Sequence, residues 1–294
     1  MDGDTKVATP LGDVVLRSLA DGTLSSELSD LQCMDGRGFG GWTAALAALA
    51  AVRAAGDRVL HTFRAVFTRQ ARVGELRIEA EPLVEGRTAA AYQVTVRQEG
   101  TVVLAAQCWF VDASLLAESG PATDRLADVP PVSACPRVHW TEEFIPCLAG
   151  FAEWAVEFPL SNEEFQTTFV DGGDVLSLWT APAEDVRDGV PGVRGVLDEH
   201  AGESPDGVAE RLADLMMLDT HLMDAAHRTT PDIAMMTLDL TATWYARPRH
   251  PALTFFEARG RVDGLLAATE GTLVTPDGTV RATGTSQCRV YPRT

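Results

Sequence analysis

Asp219 sits inside an apolar stripe. The run from Arg211 to His227 contains neither Pro nor Gly and is rich in Leu, Met and Ala, all good helix formers. On a helix, Leu212, Leu215, Met216, Asp219, Leu222, Met223 and Ala226 recur at i, i+3, i+4 and i+7 and share one face. A carboxylate on such a face is costly unless it is hydrogen-bonded or borders a cavity. Two readings follow. Asp219 is a structural residue bonded to neighbouring backbone or hydroxyl groups, or it is a carboxylate placed for chemistry, as a general base on water or as a direct nucleophile.

Other sources of chemistry are poorly supported. The five cysteines, Cys33, Cys108, Cys135, Cys147 and Cys288, are widely spaced and form no Cys-x-x-Cys pair, so zinc and redox motifs are unsupported and reduced thiols in the cytoplasm fit best. His221 and His227 are six apart, the wrong spacing for one helix face, which argues against a metal there. Gly-x-Ser-x-Gly is absent, and no Ser-His-Asp pattern stands out. The net charge of -18 argues against nucleic acid as a partner. The acidity is concentrated: residues 142–214 carry 3 basic and 17 acidic groups, residues 1–117 carry 11 and 14, and residues 215–294 carry 8 of each. A solvated surface or insertion explains this block more simply than a docking face. The N-terminus has neither the basic nor the apolar region of a signal peptide, and no apolar run reaches the roughly 18 residues that span a bilayer. No membrane association is expected.

The elements that would position Asp219 read as follows. Gly36-Arg37-Gly38-Phe39-Gly40-Gly41-Trp42 is a Gly-rich turn opening a helix near 43–54 that is apolar almost all round, and therefore buried. Its free N–H groups could hold an anion or a carbonyl oxygen, although a purely steric role for the glycines fits equally well. Val14–Leu16 reads as a short strand and Leu24–Leu31 as a short helix. Four long strands follow the first helix, at Val59–Phe67, Glu75–Val84, Thr88–Gln98 and Thr101–Val111, punctuated by Gly turns. A Pro-rich linker covers 118–141. Strands at Phe151–Phe158 and Val175–Trp179, an acidic loop and the Asp219 helix come next. Four more strands end the chain, at Ala234–Tyr245, Leu253–Val262, Leu265–Thr275 and Thr279–Tyr291. One long buried helix followed by a four-stranded antiparallel meander is the outline of a hot dog fold, and it occurs twice. Gln107-Cys108 and Gln287-Cys288 echo each other near the end of each last strand, which supports an internal duplication. The expectation is an α+β double hot dog. Two antiparallel sheets would each wrap one long central helix, with domains at 1–117 and 142–294 and the acidic insertion before the second helix. Open sheet edges invite pairing, so the intrachain pair is expected and further homo-oligomers are allowed.

These residues resemble the type II acyl-CoA thioesterases, the TesB-like double hot dog family. Phe39-Gly40-Gly41 is similar to that family's helix start, and Leu60–Arg69 to its His-Ser-Phe … Phe-Leu-Arg-Pro strand, with Gln70 where the family has Pro. Gly86-Arg87 matches a turn between strands. Thr237–Thr241 with Arg247-Pro248 resembles its Thr-x-Asp-x-Ser/Thr … Arg-Pro segment. The resemblance implies a cytoplasmic hydrolase of fatty acid metabolism, acting without a cofactor or metal on acyl-CoA or an acyl-carrier thioester. Asp219, Thr237 and Gln287 would hold the attacking water, and the helix start at Gly40, Gly41 and Trp42 would meet the substrate. The alternative is a hot dog protein that binds or transforms an acyl thioester without hydrolysing it.

Overall fold

Among the described residues, two α-helices are wrapped by a thirteen-stranded sheet. In the computed structural model, residues 4–9, 12–34, 36–135, 155–159, 175–182, 186–187, 190–191, 207–230, 233–245 and 254–292 are described. Helix α1 runs Gly40–Ala55 and helix α2 runs Val208–Thr229. Alanine fills α1 because its packing leaves little room: Ala44, Ala45, Ala47, Ala48, Ala50 and Ala51 are all buried. The strands, in chain order, are β1 (Thr5–Thr9), β2 (Gly12–Ser18), β3 (Leu24–Leu28), β4 (Cys33–Met34) and β5 (Arg37–Gly38) before α1. Then come β6 (Val59–Phe67), β7 (Gly74–Glu85), β8 (Ala89–Gln98) and β9 (Thr101–Val111). The second half supplies β10 (Ala155–Pro159), β11 (Val175–Pro182), β12 (Val186–Arg187), β13 (Val190–Pro191), then α2, β14 (Ile233–Trp244), β15 (Thr254–Asp263), β16 (Leu266–Val274) and β17 (Val280–Pro292).

Two antiparallel sheets side by side were expected, and the structure joins them into one. One continuous sheet runs β1-β2-β3-β7-β8-β9-β6-β14-β17-β16-β15-β11-β10. The join is the antiparallel pair β6–β14, from Asp239↔Val66 to Thr243↔Thr62. The physical reason is the exposed edge that each meander would otherwise keep: pairing the two edges satisfies both rows of backbone groups. Within this sheet α1 packs on strands of the first half, α2 packs mainly on strands of the second, and the helices pack on each other. Both contribute to one main core, in which Leu46 and Leu49 lie with Leu215 and Leu218.

The two helices and the eight long strands read from the sequence hold, while short strands at Thr5–Thr9, Cys33–Met34, Arg37–Gly38, Val186–Arg187 and Val190–Pro191 were not expected. Leu24–Leu31 is not a helix: Leu24–Leu28 is strand β3, paired with β2 and β7, followed by a 3-10 turn at Asp30–Gln32. Cross-strand pairing there outweighs a local propensity of only a few tenths of a kcal/mol per residue. Residues 151–154 and most of the acidic 142–214 block lie outside the described residues. Among the described residues no helix is long and apolar enough to cross a membrane.

Candidate active site

The first turn of α1 meets the middle of α2, and Asp219 is the point of contact. The carboxylate is 1% exposed. Its Oδ2 accepts a 2.7 Å hydrogen bond from the Gly41 N–H, and its Oδ1 accepts a 2.9 Å bond from the Thr237 hydroxyl. The Gly41 bond uses a helix-start N–H that has no intrahelical acceptor, at the positive end of the helix. Sequence explains why the approach is this close. A Cβ on Gly40 would stand 2.8 Å from Asp219 Oδ2, and one on Gly41 would stand 2.7 Å from Met216 Cα. Both glycines are therefore required by the helix contact.

Burial pushes the Asp219 carboxyl up to about 6, and the bonds from Thr237 and Gly41 pull the other way. Desolvation disfavours the anion, while donated hydrogen bonds favour it. The result is a carboxyl poised near neutrality, where a general base is most effective.

Beside it opens a cavity of about 230 Å³, lined by Asp219 and Thr237, by Gly38, Phe39, Gly40 and Thr43, by Phe67, Ala71 and Val103, and by Met223, His227, Ala234, Met235 and Met236. Arg37, Arg69 and Gln70 complete it. Burial grades across this lining: Asp219 and Thr237 are buried, Met223, His227, Met235 and Met236 half-buried, and Arg37, Arg69 and Gln70 exposed. Asp219, Met223 and His227 follow at successive i+4 steps along α2, so one helix face runs from the carboxylate outward. His227 Nε2 lies 3.1 Å from the Ile233 carbonyl oxygen. That oxygen can only accept, so Nε2 carries the hydrogen.

Asp219 and Thr237 are brought together, and Gln287 is not. Strand β17 alternates cleanly: Ala282, Gly284, Ser286, Cys288 and Val290 are buried, while Thr285, Gln287, Arg289 and Tyr291 are exposed. Gln287 thus lies on the outer face, and its backbone N–H donates to Asp239 Oδ1 at 3.0 Å. Thr237 pairs instead with Cys288, across a bulge between Thr237 and Asp239. Burial raises the Cys288 thiol to about 12, which removes it as a nucleophile at neutral pH. Ser286, on the buried face, gives its hydroxyl hydrogen to the Asp239 carbonyl at 2.7 Å. The outward parity of Gln287 was visible in the sequence: it falls in step with Arg281 and Arg289, opposite Gly284 and Cys288.

The helix-start expectations also divide. Gly40 lines the cavity. The Gly41 N–H is committed to Asp219 rather than to a substrate, and Trp42 is buried in the main core, outside the lining. The residues that sequence reasoning did not place at the site are His227, Met223, Met235 and Met236. For Met223 and His227 the signal was their i+4 and i+8 spacing from Asp219. Among the described residues no group of His, Cys, Asp and Glu could hold a metal ion.

Residues 29–111 match the model of the acyl-CoA thioesterase N-terminal domain. No protein of curated function matches the sequence. Among solved structures, a conserved protein of unknown function with a hot dog fold from Alicyclobacillus acidocaldarius is 17% identical with a TM-score of 0.72, covering 94% of this chain and 95% of its own. The acyl-CoA thioesterase II TesB2 of Mycobacterium marinum is 17% identical with a TM-score of 0.69, over 96% of this chain and 97% of its own. The tesB protein of Mycobacterium avium subsp. paratuberculosis is 19% identical with a TM-score of 0.68, over 94% and 96%. The chain therefore has the hot dog fold, and its residues 29–111 match the acyl-CoA thioesterase N-terminal domain.

Proposed function

We propose that the protein hydrolyses an acyl thioester to a free acid and a thiol. Asp219 is the general base. The observation that carries this reading is a buried carboxyl near pKa 6, fixed by Gly41 and Thr237 at the inner end of an apolar cavity. The acyl group enters along Phe39, Phe67 and Met235. A water bound at Asp219 gives up a proton to the carboxylate as its oxygen bonds to the thioester carbon. The carbonyl oxygen becomes an oxyanion. The Gly40 N–H, the first of α1, is assigned to it, since among the described residues no group accepts that hydrogen and donors at the developing charge contribute most to such reactions. Collapse then breaks the carbon–sulfur bond, and the thiolate leaves and takes up a proton. Thr237 orients the carboxylate. In this reading residues 1–117 and 142–294 are two hot dog units that share one site in a cytoplasmic enzyme.

The test is a panel of acyl-CoA, acyl-carrier and acyl-N-acetylcysteamine thioesters of varied length and branching, read by free-thiol release. We expect hydrolysis that rises with pH through about 6 and then levels. Hydrolysis of no member of the panel would leave the non-hydrolytic alternative standing.

A further inference from the structure

The cavity is too small for a whole carrier. Pockets that enclose drug-sized ligands run to about 300–1,000 Å³, and this one holds about 230 Å³. An acyl group fits inside, while the phosphates of CoA or of a phosphopantetheine arm stay outside its mouth. The residues there carry one sign. Arg37 and Arg69 are exposed and line the opening with Gln70. Arg72 stands beside Arg37 across an antiparallel bridge, and the Gly38 N–H donates to the Ala71 carbonyl at 2.8 Å. Backbone pairing thus holds the segments that carry all three arginines against each other. Among the described residues no carboxylate pairs with Arg37, Arg69 or Arg72. In a chain with 42 acidic and 24 basic residues, three unpaired arginines at one opening are unexpected for a merely solvated surface. Among the described residues the only carboxylate in the lining is Asp219, at the buried end.

We infer that Arg37, Arg69 and Gln70, flanked by Arg72, form an anion subsite that binds the phosphates of the thiol carrier and so sets the depth at which the acyl group reaches Asp219. Arginine suits this role because its planar fork meets phosphate oxygens two at a time. Gln70 adds a side-chain amide donor beside them.

This inference rests on the proposed hydrolysis, and the experiment separates the two. The double variant Arg37→Gln/Arg69→Gln is compared with the unmodified chain on acyl-CoA and on the matching acyl-N-acetylcysteamine thioester, which lacks phosphate. The expected result is that the ratio of kcat/KM for acyl-CoA to that for the truncated thioester falls by about tenfold or more, the loss of one or two charge-assisted bonds. A ratio equal to that of the unmodified chain overturns the subsite. Calorimetric titration with free CoA gives a readout independent of turnover. Weaker CoA binding in the variant supports the subsite even if no thioester is hydrolysed, and equal binding overturns it. An acyl-loaded carrier protein, run in parallel, identifies the source of the phosphate: the substrate whose kcat/KM falls more in the variant is the one whose phosphate the arginines hold.

Discussion

The two helix starts in this molecule are built on the same plan and do different things. At the start of α1, Gly40 and Gly41 admit α2 to contact, the Gly41 N–H reaches Asp219, and a cavity of about 230 Å³ opens. At the start of α2, Val52, Val208 and Leu212 line a remnant of about 10 Å³. Val52 lies as far along α1 from Gly41 as Asp219 lies along α2 from Val208, so an aliphatic side chain stands where the other half has its carboxylate. Arg211, 2% exposed, fills the space. Its Nε–H donates to the Leu60 carbonyl at 2.7 Å, Nη1 reaches the Gly207 carbonyl at 3.3 Å, and the guanidinium lies over the Trp244 ring at 5.8 Å. Even the bulges correspond: β6 slips between Leu60 and Thr62 against β9, as β14 slips between Thr237 and Asp239 against β17. Leu60 occupies the place of Thr237. The difference teaches that a repeated order of helix and meander supplies two potential sites, and a few side chains decide which one opens a cavity beside a carboxylate.

The sharpest way to break this comparison is to remove the carboxylate from the open end. Asp219→Asn should cut thioester turnover by roughly 10²-fold or more, the range for a lost general base. The fold should survive. The amide oxygen can keep the Gly41 N–H, and the Thr237 hydroxyl can turn to accept from the new NH₂. Stability should also change its pH dependence. The unfolded carboxyl titrates near 3.8 and the folded one near 6, so the folded state holds its proton more tightly. In the unmodified chain this residue's contribution is fully favourable below about pH 4 and is lost as pH rises to about 6, in total about 3 kcal/mol. Denaturant unfolding at pH 4 and pH 7 should show a smaller loss between these pH values in the Asn variant.

Thr237→Val makes the open end resemble the closed one, where leucine occupies that place. It deletes a bond that holds the Asp219 carboxyl down, so the rise of rate with pH should move to higher pH. Turnover at pH 7 should fall by about tenfold, as expected for one hydrogen bond to a charged group. An unmoved pH profile, measured by free-thiol release, would detach Thr237 from the base.

Arg211→Met probes the plug. It leaves the Leu60 and Gly207 carbonyls without this donor and loosens the contact with Trp244, at a cost of about 1–3 kcal/mol. Thermal unfolding should show the loss, while KM and kcat of the remaining protein hold. A large fall in kcat would mean that the closed end is coupled to the open one.

Gln287→Ala should have the smallest effect. The side chain is on the outer face, and its hydrogen bond to Asp239 comes from the backbone, which alanine retains. Surface changes of this kind stay within about 0.5 kcal/mol. A turnover loss comparable with that of Thr237→Val would restore Gln287 to the site.

Legibility in the sequence followed the range of the interaction. The helix at Asp219, the Gly-rich start of α1 and the eight long strands were readable because burial imposes periods of 3.6 and 2 on local sequence. The echo of Gln107-Cys108 and Gln287-Cys288 was readable and misleading. Leu60 pairs with Phe110 while Thr237 pairs with Cys288, so Cys288 corresponds to Phe110, and the echo is out of step with the ladder. Strand parity, a local property, turns Gln287 outward, whereas its place in the site rested on the family resemblance alone.

By itself the sequence determined that a carboxylate lies on an apolar helix face, that glycines open the other helix, and that helix and strands recur in the same order. Composition and local periodicity carry that much, because burial selects residue type position by position. Only the tertiary structure decided that the two meanders join through β6 and β14 into one sheet, that Gly41 rather than a substrate takes the Asp219 carboxylate, and that Arg211 closes the second site. These depend on contacts between residues far apart in the chain, such as Gly41 with Asp219 and Arg211 with Leu60. Their geometry is set by how two helices cross and which edges pair, and no local pattern encodes it.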